Sequence, residues 1–395
     1  MNPKPHHGKT LDEEEANDSS PWLVPRAAYV HIPFCAHHCG YCDFAVVEGR
    51  EDQIDRYLNA LQLELQRLGF PRPIDTLFLG GGTPSHLNEA QLGRLFAALD
   101  RWLPRHERSE VSLEANPDSF DNAKAELLRH LGVTRISLGV QSFQPLVLRV
   151  LERRHHPQHV FSAAEAAHRV GLRLSLDLIF GVPGQSLANW REDLRRAIDL
   201  QPEQISTYGL TWEKGTRLWK QQQRRELIPL TEESERAMYE AAMDDLETAG
   251  YSQYEISSFA RPGGRCQHNQ VYWANEAFFG FGMGAAAYVG GTRTLNVRQL
   301  DEYLRRLESG RSPVFQTETL GPEERARETL TLNLRRVEGV ERTRFRRQTG
   351  FDVDTLAGPA LARHVRAGLM IDDGERIALT RAGRCVADSI VTDLL

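Results

Sequence analysis

The feature that most constrains the fold of this 395-residue chain is an alternation of short β-rich segments with longer helical patterns. Six candidate strands end in polar or glycine-rich residues, and they cover residues 27–32, 76–79, 111–114, 135–138, 174–179 and 204–208. Between strands lie stretches such as Ile54 to Leu68 and Glu89 to Leu103, in which apolar residues recur three and four positions apart. This order is typical of a parallel sheet and predicts an α/β fold with a partial (β/α)6, TIM-like barrel.

Several chemically distinctive residues follow directly after the predicted strands. They are a cysteine-rich segment after the first strand, Gly80-Gly81-Gly82-Thr83-Pro84, Glu114, Gln141 and Asp177. In barrels of parallel strands the functional groups collect at the carboxyl ends of the strands. We therefore expect these side chains to face one cavity.

The composition predicts an ordinary globular protein of the cytoplasm. The chain is 41% hydrophobic and 26% charged, and its net charge of -6 argues against a general polyanion binder such as a nucleic-acid-binding protein. The first 25 residues carry the acidic cluster Asp12 to Glu15, lack the pattern of a signal peptide and are predicted to form a disordered tail. No run of 18 or more apolar residues is present.

Three of the five cysteines, Cys35, Cys39 and Cys42, stand within eight residues in C-x3-C-x2-C spacing. In a reducing compartment such a group is more often a metal site than a set of disulfides. Three thiolates on one loop suit an iron-sulfur cluster, in which one iron stays open for another ligand. A structural zinc site is the alternative, but it needs four protein ligands, and Cys266 and Cys385 stand far away in the sequence.

Six motifs in the same order resemble those of a known family. They are YVHIPFCAHHCGYCDF, FLGGGTPS, SLEANPD, SLGVQSF, LDLIFGVPGQS and QISTYGLTWEKGT. Together they resemble the radical S-adenosylmethionine (SAM) enzymes related to oxygen-independent coproporphyrinogen III oxidase, from about Ala27 to the C-terminus. The resemblance implies a partial barrel of the radical SAM type, a [4Fe-4S] cluster on Cys35, Cys39 and Cys42, and SAM on the open iron.

The resemblance also implies roles for residues around SAM. Gly81, Gly82 and Thr83 are expected to meet its methionine moiety, and Glu114 and Gln141 its ammonium group and polar edges. Asp177 is expected to accept the ribose hydroxyls, and an arginine, Arg153 or Arg154, to pair with the SAM carboxylate. Tyr29 is expected to pack either on SAM or in the barrel core.

Two departures from the oxidases, and one further motif, are similar to the heme chaperone (HemW-like) branch of this family. The oxidases carry a fourth cysteine two positions after the third, where this chain has Phe44, and they have a longer region before the cysteines. Cys266-Gln-His268-Asn269-Gln-Val-Tyr272-Trp273 is similar to the HNxxYW motif of the chaperone branch. The resemblance implies a heme chaperone that delivers heme to respiratory acceptor proteins, with His268 as axial ligand and Cys266 as the alternative. Whether SAM cleavage accompanies this function stays open, and oxidase activity is not expected.

The last hundred residues have a different pattern. Helical stretches, Glu323 to Arg336 and Leu361 to Ala367, precede a hairpin signalled by Asp373-Gly374, which predicts a smaller winged-helix-like domain. Residues 322–395 contain 13 Arg and 12 Asp or Glu, so little attraction to nucleic acid is expected. The predicted domains are a tail (1–25), the barrel with its cluster loop and extension (26–295) and the C-terminal domain (296–395). An exposed cluster also predicts a cluster-dependent homodimer.

Overall fold

The computed structural model describes residues 21–395. The strands are β1 (Ala27–Ile32), β2 (Phe34–Cys35), β3 (Val47–Glu48), β4 (Ile74–Gly81), β5 (Arg105–Ala115), β6 (Arg135–Gln141), β7 (Arg173–Phe180), β8 (Gln204–Gly209), β9 (Ser252–Gln253), β10 (Ser258–Ala260), β11 (Phe278–Phe281), β12 (Ala286–Val289), β13 (Thr292–Asn296), β14 (Val314–Thr319), β15 (Val340–Glu341), β16 (Met370–Asp372) and β17 (Arg376–Leu379). The α-helices are α1 (Ile54–Gln66), α2 (Glu89–Trp102), α3 (Asn122–His130), α4 (Pro145–Val150), α5 (Pro157–Arg169), α6 (Leu187–Asp199), α7 (Arg217–Gln223), α8 (Glu232–Thr248), α9 (Gln267–Trp273), α10 (Leu300–Glu308), α11 (Pro322–Leu334), α12 (Arg342–Thr349), α13 (Val353–Arg366), α14 (Arg381–Arg384) and α15 (Ala387–Leu394).

One twelve-stranded sheet forms the centre of the molecule, in the order β14-β13-β12-β11-β1-β4-β5-β6-β7-β8-β10-β9. The six predicted strands are β1 and β4 to β8, and they pair in parallel. A seventh parallel strand, β11, lies beside β1. The sheet does not close on itself because β14 and β9 are its two edges. The predicted α/β fold with a partial barrel is therefore confirmed.

The helices between the strands bury one apolar face each. In α1 the buried residues include Ile54, Leu58, Leu61 and Leu65, which recur at the three- and four-residue spacing of a helix face. Helix α2 begins at a capping box, in which the side chain of Asn88 accepts a hydrogen bond from the N–H of Gln91. These helices and the strands share one large hydrophobic core.

The inside of the barrel is hollow. Ser137, Ser175 and Ser206 are buried on three neighbouring strands and line a cavity of about 500 Å³. In TIM barrels the corresponding positions are usually filled by bulky branched residues. The small hydroxyl side chains thus leave room for a ligand or for water inside this barrel.

The C-terminal unit has a separate core built from α11, α12, α13, α15 and the short sheet β15-β17-β16. Its hairpin joins β16 and β17 in antiparallel pairing, as the sequence predicts for a winged-helix-like unit. The unit packs against the barrel, since Arg344 forms an ion pair with Glu276 and Leu332 lines the inner cavity. It therefore forms part of the wall of the inner cavity.

The predicted division at residues 295 and 296 falls inside the large sheet, because β13 pairs with β14 as far as Thr319. Helix α10 also belongs to the large core through Leu300, Tyr303 and Leu304. The small core begins only at Ala326, in α11. Strand pairing and packing thus assign residues 296–319 to the barrel side.

The predicted tail lies outside the described residues as far as residue 20. Residues 21–23 form a short 3₁₀ turn. This turn is attached to the fold because the carbonyl of Trp22 accepts a hydrogen bond from the N–H of Ala277, at 2.7 Å. Among the helices of residues 21–395, none combines the length and hydropathy needed to cross a membrane.

Candidate functional site

The cysteine-rich segment forms a loop at the carboxyl end of β1. Main-chain hydrogen bonds hold it on two sides: Thr83 N–H donates to Phe34, and Gly40 N–H donates to Leu151. Cys35, Cys39 and Cys42 are half-buried, and all three residues line a cavity of about 470 Å³. The loop therefore presents its three thiols to one space, as the sequence predicts.

The surroundings of the thiols affect their protonation. Burial raises the pKa of Cys35 to about 11 and that of Cys42 to about 12, so both are protonated at neutral pH without a metal. The guanidinium of Arg153 lies 3.5 Å from the Cys39 sulfur and supplies positive charge. Within residues 21–395 the structure gathers no group of three or more His, Cys, Asp or Glu side chains that could hold a single metal ion. Three thiols that share one cavity are compatible with an iron-sulfur cluster, which spreads its thiolates over several iron atoms.

The glycine-rich turn after β4 lies against the cysteine loop. Gly81 has a φ of 104°, and a Cβ atom on Gly81 would lie 2.3 Å from the ring of His31. A Cβ atom on Gly82 would lie 2.6 Å from the main chain of Pro33. Both residues line the cavity, but the need for glycine comes from this packing inside the chain. Thr83, which is buried, places its hydroxyl 3.4 Å from the Cys35 sulfur.

Two acidic side chains, Glu114 and Asp177, face the same cavity from β5 and β7. Glu114 accepts a hydrogen bond from the N–H of Gly81 at 2.9 Å, and Asp177 accepts one from the hydroxyl of Ser137 at 2.8 Å. Burial raises the pKa of Glu114 to about 7 and that of Asp177 to about 6. Among the described residues neither carboxyl group has a cationic partner, so both are available to a positively charged or hydroxyl-bearing ligand.

The structure distinguishes Arg153 from Arg154. Arg153 lines the cavity and donates from Nη2 to Asn116 Oδ1 at 2.7 Å and to the carbonyl of Gly139 at 2.5 Å. Its Nε is buried without a hydrogen-bond partner in the described part of the chain. Arg154 is exposed and lies 3.8 Å from Glu48. The cavity therefore has one guanidinium in its lining, and a guanidinium can pair with a carboxylate ligand.

Gln141 also lines this cavity, at the end of β6. Its φ of 63° is unusual for a residue other than glycine, and the pairing register with β7 shifts at this point. Such irregularities commonly turn a side chain toward a site. With Arg153, Glu114 and Asp177, the cavity suits a ligand that carries both a carboxylate and a cation.

Tyr29 and His268 lie in the inner cavity of the barrel instead. The Tyr29 hydroxyl is 3.0 Å from His31 Nδ1, and its ring stacks near Phe78. His268, at the start of α9, is fully buried, with Nδ1 2.8 Å from the Thr76 hydroxyl and Nε2 2.8 Å from that of Tyr272. The two cavities adjoin because Phe44, Glu114 and Asp177 line both.

The sequence reasoning missed two residues of the cysteine-side cavity. Asn116 bridges Arg153 and the Thr83 hydroxyl, at 2.7 and 3.1 Å. Tyr41, between the second and third cysteines, also lines the cavity. Asn116 follows Glu114 at the end of a strand in the motif SLEANPD. This position at a strand end is the feature of the sequence that could have identified Asn116 as a site residue.

Two family models match parts of this chain. The model of the radical SAM superfamily matches residues 29–197, and that of the HemN C-terminal domain matches residues 320–386. The solved structure of coproporphyrinogen III oxidase (HemN) from Escherichia coli is similar with a TM-score of 0.83 and 23% identity, covering 94% of this chain and 90% of that chain. At this identity the likeness concerns the fold.

Closer sequence relatives carry the name heme chaperone HemW. The Bacillus subtilis protein is 38% identical over 371 residues, which cover 92% of this chain and 98% of the relative. The Lactococcus lactis protein is 34% identical, covering 91% of this chain and 94% of the relative. The Escherichia coli protein is 38% identical over 269 residues, covering 67% and 70%. The chain therefore belongs to the HemW family, within the radical SAM superfamily.

Proposed function

We propose that this chain is a heme chaperone that carries a [4Fe-4S] cluster and SAM. Cys35, Cys39 and Cys42 would hold the cluster, since they are the three thiols that share one cavity. The cluster would supply an electron and an open iron for SAM. The residues of this chain would bind, orient and shield these groups.

The observation that carries the cofactor part of the proposal is the distribution of charge around the cavity. The guanidinium of Arg153, which lines the cavity, suits the SAM carboxylate, and the carboxyl group of Glu114 suits its ammonium. Asp177 suits the ribose hydroxyls. Gln141 and Thr83 complete the polar wall.

The observation that carries the heme part is the likeness to HemW proteins over nearly their whole length. Phe44 supports it, because the oxidases have a cysteine at the corresponding position. This phenylalanine is 66% exposed and lines both cavities, so an apolar ring stands where the oxidases present a thiol.

The second candidate function is oxygen-independent oxidation of coproporphyrinogen III. The similarity of the fold to that of HemN supports this candidate. Anaerobic incubation of the iron-reconstituted chain with coproporphyrinogen III, SAM and a reductant tests it. We expect the porphyrinogen to keep its four propionates, by mass spectrometry. Conversion of two of them to vinyl groups would establish the oxidase. Measuring 5'-deoxyadenosine in the same tube shows separately whether SAM is cleaved.

Heme delivery is tested with an acceptor. Heme-loaded chain is mixed with membranes of a heme-deficient bacterium, which contain apo forms of respiratory proteins. We expect cytochrome absorbance to appear faster than with the same concentration of free hemin, and to persist when apomyoglobin is present to trap free heme. Equal rates with and without the chain would contradict the chaperone function. The acceptors and the cluster-dependent homodimer stay predictions, and size-exclusion chromatography with and without the cluster tests the dimer.

A further inference from the structure

His268, the histidine of the HNxxYW motif, is poorly placed to meet an iron atom. Its side chain is completely buried, and its ring stacks on Phe78 with the centroids 5.3 Å apart. Both ring nitrogens are within hydrogen-bond distance of hydroxyl groups, those of Thr76 and Tyr272. A histidine binds iron through an unprotonated ring nitrogen with a free approach. Neither ring nitrogen of His268 has a free approach.

Tyr272 lies beside His268 and lines the same inner cavity. It lies one helical turn after His268 in α9, lines the cavity and keeps part of its surface accessible. Five other Phe and Tyr residues line the cavity with it: Tyr29, Phe44, Phe78, Tyr208 and Phe278. The ring of Tyr272 meets that of Phe278 edge to face, at 4.6 Å between centroids. The accessible group of this motif is thus a phenol at the edge of an aromatic wall.

We propose that Tyr272 is the axial ligand of ferric heme and that His268 is its positioning residue. The inference rests on the proposed heme chaperone function and names the site where heme is held. Tyrosine is an established axial ligand of heme iron, and aromatic side chains pack well against a porphyrin. The partly exposed Asn269 and Glu276 mark the rim at which heme would enter beside α9.

The hydrogen bonds around His268 orient Tyr272 for binding to the heme iron. If Nδ1–H donates to the Thr76 hydroxyl, Nε2 is the acceptor for the hydroxyl of Tyr272. On binding, the Fe–O bond forms, the phenol O–H bond breaks and the proton leaves for solvent, because burial lowers the pKa of His268 to about 3 and keeps that residue neutral. The iron stays ferric throughout, so no electron donor is needed. A histidine behind the ligand thus holds the phenol in place as a neutral hydrogen-bond partner.

Two other groups in the inner cavity are poorer candidates. Cys266 is 2% exposed, and its sulfur lies 3.4 Å from the buried carboxylate of Glu110, which opposes a thiolate. Tyr29 is also a phenol paired with a histidine, but it lies on β1 inside the barrel, near Glu114. Tyr29 is therefore the matched control for Tyr272, with the same chemistry in the same cavity.

The test is a hemin titration of the full-length, cluster-loaded chain and of Tyr272→Phe, His268→Gln and Tyr29→Phe. Absorbance, EPR and resonance Raman spectra report the ligand. We expect the wild type and Tyr29→Phe to show the charge-transfer band and high-spin signal of a ferric phenolate. Tyr272→Phe should lose both and weaken binding by about tenfold or more, whereas His268→Gln should keep the band and weaken binding by about 10- to 100-fold.

The outcomes separate this inference from the proposed function. If Tyr272→Phe keeps the wild-type spectrum, or if the wild type shows a low-spin histidine spectrum that His268→Gln abolishes, Tyr272 is not the ligand, although the chain still binds heme. If the wild type binds no hemin, both proposals fall. Circular dichroism and iron content verify folding. If Tyr272→Phe misfolds, Tyr272→His tests whether Tyr272 is the ligand. This variant should convert the phenolate spectrum to that of a histidine ligand.

Discussion

The guanidinium of Arg153 donates a hydrogen bond to the side-chain oxygen of Asn116, with 2.7 Å between Nη2 and Oδ1. This contact joins the end of β5 to the segment after α4 and directs the arginine into the cysteine-side cavity. Asn116 also donates to the Thr83 hydroxyl, which lies beside Cys35. One amide thus connects the arginine with the cysteine loop.

Replacing Arg153 is expected to weaken SAM binding. Arg153→Gln removes a charged donor, and hydrogen bonds to charged groups contribute about 1.5 to 3 kcal/mol, which corresponds to roughly 10- to 100-fold in affinity. Equilibrium dialysis of SAM with the anaerobically reconstituted chain measures this. Arg154→Gln is the control, because Arg154 is exposed and outside the cavity. Equal affinity of the two variants would contradict the role of Arg153.

Cys39→Ser is expected to abolish the cluster, because the loop has only three thiols and the proposed cluster needs all three as ligands. The measurement is iron and acid-labile sulfide per chain after anaerobic reconstitution. Cys385→Ser is the matched control, since Cys385 lies in the C-terminal unit with its sulfur near the carbonyl of Arg381. If Cys39→Ser retains the iron and sulfide content of Cys385→Ser, the assignment of the cluster to this loop is wrong.

The sequence predicts the six barrel strands because each is a short apolar run followed by a polar or glycine-rich turn. Strand β11 is not predicted in this way, since Phe278–Phe281 belongs to a glycine-rich segment without a strand pattern. Its parallel pairing with β1 joins residues about 250 positions apart in sequence. A pairing over such a separation leaves no mark on local composition.

The site shows the same limit. The spacing of the cysteines indicates a shared centre, but nothing local decides between Arg153 and Arg154, which differ only in the direction of the side chain. A hydrogen-bond partner of His268, the hydroxyl of Thr76, is 192 residues away in the sequence. Sequence reasoning finds the chemical groups, whereas their exposure and partners follow from tertiary packing.

Gly280→Ala is expected to destabilise the fold. A Cβ atom at this position would lie 1.8 Å from the carbonyl oxygen of Ala286, so the two strands would have to separate. Overpacking of this kind costs about 1 to 3 kcal/mol, and the midpoint of thermal unfolding should fall. Gly93→Ala is the control, since that position in α2 is open and alanine favours a helix by about 1 kcal/mol. An unchanged midpoint for Gly280→Ala would show that β11 and β12 are less tightly packed.

The buried carboxyl groups predict that the stability of the SAM-free chain depends on pH. Burial raises the pKa of Glu114 from an ordinary 4.5 to about 7. Between these two values the folded chain keeps a proton that the unfolded chain has lost, so the free energy of unfolding falls as the pH rises through this window. At 1.36 kcal/mol per pKa unit, Glu114 contributes on the order of 3 kcal/mol to the fall. Burial also raises the pKa of Asp177, to about 6, and this adds to the fall in the free energy of unfolding.

Glu114→Gln should flatten this dependence, because an amide does not ionise and can still accept the hydrogen bond from Gly81. The measurement is the midpoint of thermal unfolding without SAM from pH 5 to pH 8. Glu165→Gln is the control: Glu165 is exposed and pairs with Arg169 on the surface, so this variant should follow the wild type. Saturating SAM should also flatten the wild-type curve, since its ammonium stabilises the ionised carboxylate. If Glu114→Gln follows the wild type throughout, Glu114 is already ionised in the folded chain, and a cation within the protein must balance its charge.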